Sequence, residues 1–220
     1  MTGEWRMTLL GDAAVRVEYL VGEPFAANAR IHACAAHVRH AAVAGVRDVV
    51  PGMRDLVVHV DPLRCDLAHL NAVVAAATTA PLGSSAAAIV HEVPVRYGGA
   101  GGPDLADVAA ARGLSEQELC RRHSAPTYTV CFVGFMPGFA YLGPIDPTLQ
   151  GPRRTEPRPA VPAGSVAIGG EYTGIYPSVS PGGWHIIGHT DLGLFDLSSA
   201  APARLTPGAR VRFVTRPHEP

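Results

Sequence analysis

Apolar and polar positions in the first part of the chain follow two different periods. Residues 23–43 and 66–79 are rich in Ala and carry apolar residues at helical spacing, which predicts two helices. Residues 7–17 and 46–60 hold short apolar and β-branched runs that are broken by Gly-Asp and Pro-Gly, which predicts paired strands. This part of the chain therefore alternates strands with helices.

A further strand is predicted over residues 88–96, where apolar and polar residues alternate. Together with the earlier elements it completes the order β, α, β, β, α, β, which is that of a ferredoxin-like unit. We therefore expect an N-terminal α+β domain over residues 1–87 and a second domain over residues 88–220.

The second domain consists mostly of short predicted strands. Residues 134–190 contain 11 of the 24 Gly and 9 of the 20 Pro residues, and short apolar runs alternate with these turn residues. That pattern predicts an antiparallel barrel or sandwich. Two short helices are predicted before it, over residues 104–112 and 115–123, and a final strand over residues 210–215.

The composition leaves room for a sizeable core and argues against several kinds of partner. Of the 220 residues, 47% are hydrophobic, and the formal net charge is −1. We expect neither nucleic acid nor a membrane as partner, since the charge is balanced and no apolar run reaches the length of a membrane span. The four cysteines are scattered, so we expect free thiols, no metal site and a cytoplasmic location. They are Cys34, Cys65, Cys120 and Cys131.

The basic residues exclude some cofactor chemistry. All 18 of them are Arg, and the chain contains no Lys. A P-loop ends in Gly-Lys-Ser/Thr, so the chain has no Walker-type ATP site. Schiff-base chemistry through a lysine is excluded for the same reason.

Several motifs follow one another in the second domain. They are GFMPGFAYLG from Gly134, PRRTEPR from Pro152, VPAGSVAIGG from Val161, TGIYP from Thr173, SPGGW from Ser180 and IIGHT from Ile186. Together they resemble the family of the 5-oxoprolinase B subunits. That family also includes the sporulation-kinase inhibitor KipI and proteins once called allophanate hydrolase subunit 1. The resemblance implies that the second domain is a cyclophilin-like β-barrel.

The resemblance also implies a function. The chain would be a non-autonomous subunit of an ATP-dependent 5-oxoprolinase that opens 5-oxoproline to L-glutamate, working with 5-oxoprolinase subunits A and C. The complex would bind ATP, and the C subunit would have the same barrel type. We expect the partner to dock on aromatic residues of the barrel turns, such as Phe135, Phe139 and Tyr141. Two alternatives stay open: a KipI-like inhibitor of a sensor histidine kinase, and a carboxyltransferase-related subunit acting on urea or allophanate.

Three arginines between prolines are candidates for the site. Arg154 and Arg158 are predicted catalytic residues, and Arg153 is a predicted substrate-binding residue. The prolines fix the backbone and lower the entropy cost of presenting a guanidinium to a carboxylate or phosphate. In an extended chain Arg154 and Arg158 share a face and Arg153 points away. The alternative is a salt bridge to Glu156 or to the partner.

Other polar and aromatic residues complete the prediction. His123 is the third predicted catalytic residue, because a histidine can act as a general base near neutral pH. Its alternative role is to cap the end of the helix before it. The remaining predicted substrate-binding residues offer a hydroxyl, aromatic walls and an imidazole. They are Ser165, Tyr176, Trp184 and His185.

Overall fold

The computed structural model describes residues 4–80 and 89–217. The chain divides into two compact units, Met1–Ala87 and Ala88–Pro220. The combination of helices, an open sheet and a closed barrel confirms the predicted α+β fold class. Within the described ranges, none of the helices is long and apolar enough to cross a membrane.

The first unit contains a four-stranded antiparallel sheet and two helices. Its elements are β1 (Trp5–Leu10), β2 (Ala14–Tyr19), α1 (Pro24–Ala41), β3 (Val46–Pro51), β4 (Asp55–Val60) and α2 (Leu67–Thr79). The strands lie in the order β1-β2-β4-β3, and the predicted helices and strand pairs are confirmed. The start of α2 is fixed by Asp66, whose carboxylate accepts from the backbone N–H groups of Ala68 and His69.

One face of this sheet forms the core of the first unit. Val15 and Val17 of β2 and Leu56 and Val58 of β4 are fully buried, and the residues between them are less so. This alternation places every second side chain against the apolar residues of α1 and α2.

The ferredoxin-like prediction needs one correction. The ferredoxin-like order included the strand over residues 88–96, although the predicted boundary placed that strand in the second domain. The strand exists, over Val90–Tyr97, but it pairs inside the barrel and does not join the first sheet. The described order of the first unit is therefore β, β, α, β, β, α. A period of two identifies a strand, but the sheet that the strand joins depends on contacts with distant residues.

The second unit is a closed seven-stranded barrel with two short helices. Its elements are β5 (Val90–Tyr97), α3 (Leu105–Ala111), α4 (Glu116–Ser124), β6 (Thr127–Val133), β7 (Ala140–Gly143), β8 (Arg158–Val161), β9 (Ser165–Gly169), β10 (Tyr172–Ile175), β11 (Ser180–Gly182), β12 (His185–His189) and β13 (Arg210–Thr215). The barrel order is β10-β7-β6-β13-β5-β12-β9, and the pairing of β9 with β10 closes it. β8 and β11 form a separate two-stranded sheet.

Strand alternation separates the inside of the barrel from an apolar cluster on its outside. On β9, Val166 and Ile168 belong to the barrel core, whereas Ala167 belongs to the outer cluster. On β12, Ile187 lies in the core and Ile186 in the outer cluster. The predicted site residues divide between these two sides.

Candidate functional site

Asp104 lies just before α3 and holds two of the predicted arginines. Its carboxylate accepts hydrogen bonds from Nη1 and Nη2 of Arg158, at 2.9 and 2.7 Å. Nη1 of Arg154 donates a third at 3.2 Å, and the backbone N–H of Ile186 donates a fourth at 2.7 Å. Residues from three distant parts of the sequence therefore meet at one carboxylate, which we call the Asp104 cluster.

A glycine allows the loop before α3 to reach this position. Gly102 passes so close to β12 that a Cβ atom built on it would collide with the carbonyl oxygen of Ile187. The backbone N–H of Asp104 then donates to the carbonyl oxygen of Ile186 at 3.0 Å. The loop is thus bonded to β12 by two hydrogen bonds between Asp104 and Ile186, one from the Asp104 backbone and one to the Asp104 carboxylate.

The Asp104 cluster carries a surplus of positive charge. Asp104 is only 4% exposed. Burial by itself would raise the pKa of its carboxyl, but hydrogen bonds from Arg158 and Ile186 and the two guanidinium charges outweigh burial and hold that pKa below its ordinary value. Two guanidiniums face one carboxylate, so one positive charge remains for a further anion.

A cavity of about 210 Å³ adjoins the Asp104 cluster. Its lining includes Gly101, Arg158, Ser165, Ile186 and His189. Larger cavities, of about 230, 320, 370 and 540 Å³, lie elsewhere, and the described residues that line them include no buried polar side chain. The smaller cavity is therefore the one whose chemistry suits a polar ligand.

Ser165 and His189 are neighbours on two adjacent strands. They lie opposite each other in the register of β9 and β12, and Ser165 is 2% exposed. Nε2 of His189 is 3.1 Å from the carbonyl oxygen of Ala163, and Nδ1 is 3.5 Å from Oδ1 of Asp191. The imidazole therefore holds the turn that leads into Ser165.

His123 lies inside the barrel, away from the cavity. Its Nδ1 is 2.7 Å from the hydroxyl of Tyr97, and its Nε2 is 2.8 Å from that of Thr173. Thr173 donates its own proton to the carbonyl oxygen of Ala167, so Nε2 carries the imidazole proton and Nδ1 accepts from Tyr97. Complete burial lowers the pKa of His123 to about 3. These surroundings give His123 a structural role in the barrel core rather than that of a general base.

The predicted aromatic residues lie in the outer cluster. Tyr176 and Trp184 are 2% and 4% exposed and pack edge-to-face around Phe139. The guanidinium carbon of Arg153 lies 5.8 Å from the centroid of the Trp184 ring, a cation–π arrangement on the surface. His185 is 3.2 Å from the carbonyl oxygen of Pro152 through Nε2. None of these four predicted residues lines the cavity beside Asp104.

In residues 4–80 and 89–217 there is no group of three or more His, Cys, Asp or Glu side chains that could hold a metal ion. All four cysteines belong to these ranges, and all are thiols rather than disulfides. The chemistry of the cavity therefore rests on hydroxyl, guanidinium and imidazole groups.

Comparison with known proteins identifies the family. A family model described as carboxyltransferase domain, subdomain C and D, matches residues 5–205. The chain belongs to this family. The resemblance inferred from the motifs of the second domain is thereby confirmed, and it extends over both units.

Named relatives are similar over different shares of their length. The 5-oxoprolinase B subunit of Escherichia coli O157:H7 is 59% identical over 123 residues, which are 56% of this chain and 56% of that protein. The 5-oxoprolinase B subunit of Bacillus subtilis (strain 168) is 35% identical over 228 residues, or 97% of this chain and 94% of that protein. The crystal structure of TTHA0988 matches with a TM-score of 0.82 and 36% identity over 94% of this chain and 41% of that chain. This chain thus spans little more than half of the first relative and less than half of TTHA0988.

Two residues of the candidate site, Asp104 and His189, were not predicted from the sequence. Asp104 has the appearance of an ordinary helix cap, but its side chain makes no capping hydrogen bond and turns to the arginines instead. His189 ends an apolar strand and has no local partner in the sequence pattern. The signal that could have found Asp104 is the need of two neighbouring, partly buried guanidiniums for a carboxylate.

Proposed function

We propose that this chain is the B subunit of an ATP-dependent 5-oxoprolinase complex that opens 5-oxoproline to L-glutamate. The observation that carries the proposal is the Asp104 cluster, where one unneutralised positive charge borders a cavity of small-molecule size. 5-Oxoproline is a small ring with one carboxylate, which suits such a position. The names of the E. coli and B. subtilis relatives support the same reaction.

In this proposal the arginines bind the substrate carboxylate. Arg158 lines the cavity and has N–H groups beyond the two that Asp104 occupies. Arg154 stands beside it on the same carboxylate and adds charge. Asp104 is a positioning residue, because it holds both guanidiniums in place without needing to touch the substrate. Binding of the carboxylate would orient the lactam ring for attack.

ATP is proposed as the energy source of the complex. A lactam is a stable amide, and its hydrolysis adds water to give one carboxylate and one amine. Activation of the amide by phosphoryl transfer would make that step easier. Because the chain has no Lys, it would hold ATP without a P-loop, or a partner protein would hold it.

Partner subunits A and C are part of the proposal, and an exposed phenylalanine supports a docking surface on the barrel. Phe135 is 60% exposed, with a backbone φ of 68°, a conformation that residues other than Gly rarely adopt. Phe139 is 2% exposed and belongs to the outer cluster, so it packs within its own chain. Phe135 is therefore the better candidate for contact with a partner.

We place the complex in the cytoplasm, where cysteine thiols persist.

The proposal is tested by reconstitution. The chain is purified alone and together with subunits A and C, and conversion of 5-oxoproline to glutamate is measured with and without ATP. We expect turnover only from the complete complex with ATP. Turnover by the isolated chain, or an inactive complete complex, would contradict the proposal.

A further inference from the structure

Ser165 combines deep burial with an unused hydroxyl. The residue is 2% exposed and lines the cavity beside Arg158. Among the residues that the structure describes, its Oγ has no hydrogen-bond partner, and it is not one of the enclosed polar atoms, so it opens onto the cavity. Buried polar groups are almost always hydrogen-bonded. A hydroxyl that is kept free at this position therefore points to a ligand.

The backbone around Ser165 is held from several sides. Gly164 donates its N–H to the carbonyl oxygen of Tyr176 at 2.7 Å, and Tyr176 donates to the carbonyl oxygen of Ser165 at 3.0 Å. Thr190 donates to the carbonyl oxygen of Gly164 at 2.9 Å, and His189 contacts Ala163. Gly164 has a φ of 79°, and a Cβ atom there would collide with the carbonyl oxygen of Thr190. The backbone that carries the hydroxyl is thus fixed in place before a ligand arrives.

Two of the polar groups that line the cavity, Arg158 and Ser165, differ in kind. Arg158 carries a positive charge that suits a carboxylate. Ser165 is neutral, and its hydroxyl can both donate to a carbonyl oxygen and accept from an amide N–H. A ligand that satisfies both groups bears a carboxylate and, a few bonds away, a neutral amide-like group.

We propose that two side chains of the cavity recognise one ligand: Arg158 binds its carboxylate, and Ser165 hydrogen-bonds its lactam amide. This proposal rests on the proposed function and adds a residue that distinguishes 5-oxoproline from rings of the same size that lack the amide. His189 acts as a positioning residue, because it holds the turn before Ser165 and leaves the hydroxyl free.

Ligand binding by the assembled complex tests the proposal without nucleotide. Two ligands are compared by calorimetric titration and competition: 5-oxoproline, and cyclopentanecarboxylate, which keeps the carboxylate and lacks the lactam. Ser165→Ala is expected to weaken binding of 5-oxoproline about tenfold and to leave binding of cyclopentanecarboxylate unchanged. Arg158→Ala is expected to weaken both.

Ser180→Ala is the matched control. The Ser180 hydroxyl is also without a partner among the described residues, but it is enclosed by protein, so its removal should change the binding of neither ligand. Equal affinity of wild type and Ser165→Ala for 5-oxoproline, equal losses for both ligands, or no binding of 5-oxoproline by wild type would each overturn the inference. A wild-type complex that binds 5-oxoproline with the expected Ser165 dependence, but does not hydrolyse it with ATP, would leave the inference standing and reject the proposed function.

Discussion

Two carboxylates of the second unit each hold two arginines, and the two clusters differ in how they are built. Glu118 of α4 accepts from Nε of Arg121 and from Nε of Arg122, both at 2.7 Å, three and four positions along one helix. Asp104 takes its arginines from positions 50 and 54 residues further on. The Glu118 side chain is 30% exposed, and the Asp104 side chain is 6% exposed.

The two clusters differ in how far the carboxylate is shielded from water. The Glu118 cluster forms wherever the helix forms, and its charges are screened by solvent. Arg121 and Arg122 lower the pKa of Glu118 to about 2, yet the described residues around the cavity beside them include no buried polar side chain. The Asp104 cluster exists only in the folded barrel, and the cavity beside it is lined by the buried Ser165.

Removal of the Asp104 charge is expected to have the largest effect on activity. Asp104→Asn deprives both guanidiniums of their anchor and leaves them to repel each other. Loss of one partner of a buried charge pair costs about 2 kcal/mol or more, so activity of the assembled complex should fall at least about thirtyfold. The measurement is ATP-dependent turnover of 5-oxoproline, with circular dichroism to verify the fold.

Glu118→Gln is the control for that substitution, since it makes the same chemical change in the other cluster. Its turnover should equal that of wild type. Equal losses from Asp104→Asn and Glu118→Gln would show that the comparison has no bearing on function.

Arg158 should contribute more to kcat/KM than Arg154, the other arginine of the Asp104 cluster. Arg158 makes two hydrogen bonds to Asp104 and lines the cavity, whereas Arg154 makes one longer bond. A charge-assisted hydrogen bond to a bound anion is worth about 1.5–3 kcal/mol, so Arg158→Ala should lower kcat/KM at least about tenfold. Arg154→Ala should lower it less. Arg122→Ala, which removes a comparable residue from α4, should leave kcat/KM unchanged, and a loss as large as that of Arg158→Ala would refute the assignment.

The smallest effect on activity is expected at His123, where the consequence is for stability. Its folded-state pKa of about 3 lies below the ordinary 6.5. Between these values the unfolded chain binds a proton that the folded chain does not, so stability falls as the pH drops below about 6.5, by about 1.4 kcal/mol per pH unit. His123→Gln should be less stable at pH 7 but should lose less stability on acidification.

The Asp104 cluster should not contribute to that decline. The folded-state pKa of Asp104 lies below its ordinary 3.8, so its contribution is present above about pH 3.8 and is lost only on further acidification. Chemical denaturation of wild type, His123→Gln and Asp104→Asn from pH 7 to pH 4 separates the two groups. Acid sensitivity that is the same in wild type and His123→Gln would contradict the assignment.

The sequence predicted elements better than it predicted contacts. Helices and strands follow from local periodicity. The spacing of Arg154 and Arg158 in an extended chain predicted that their side chains share a face; both do contact Asp104, but residues 155 and 156 form a bend rather than extended chain. The partner of that face, Asp104, could not be predicted, because the pairing depends on how a loop crosses β12 some 80 residues later along the chain. For His123 the opposite happened, since it was predicted as a catalytic residue from its residue type. It lies in the barrel core, where burial lowers its basicity.

The most direct test of the central claim is a crystal structure of the assembled complex soaked with 5-oxoproline in the absence of ATP. We predict that the ligand occupies the cavity beside the Asp104 cluster, with a carboxylate oxygen within hydrogen-bond distance of Arg158 and the lactam amide against the Ser165 hydroxyl. A ligand bound at another place on the complex, with this cavity empty, would contradict the account.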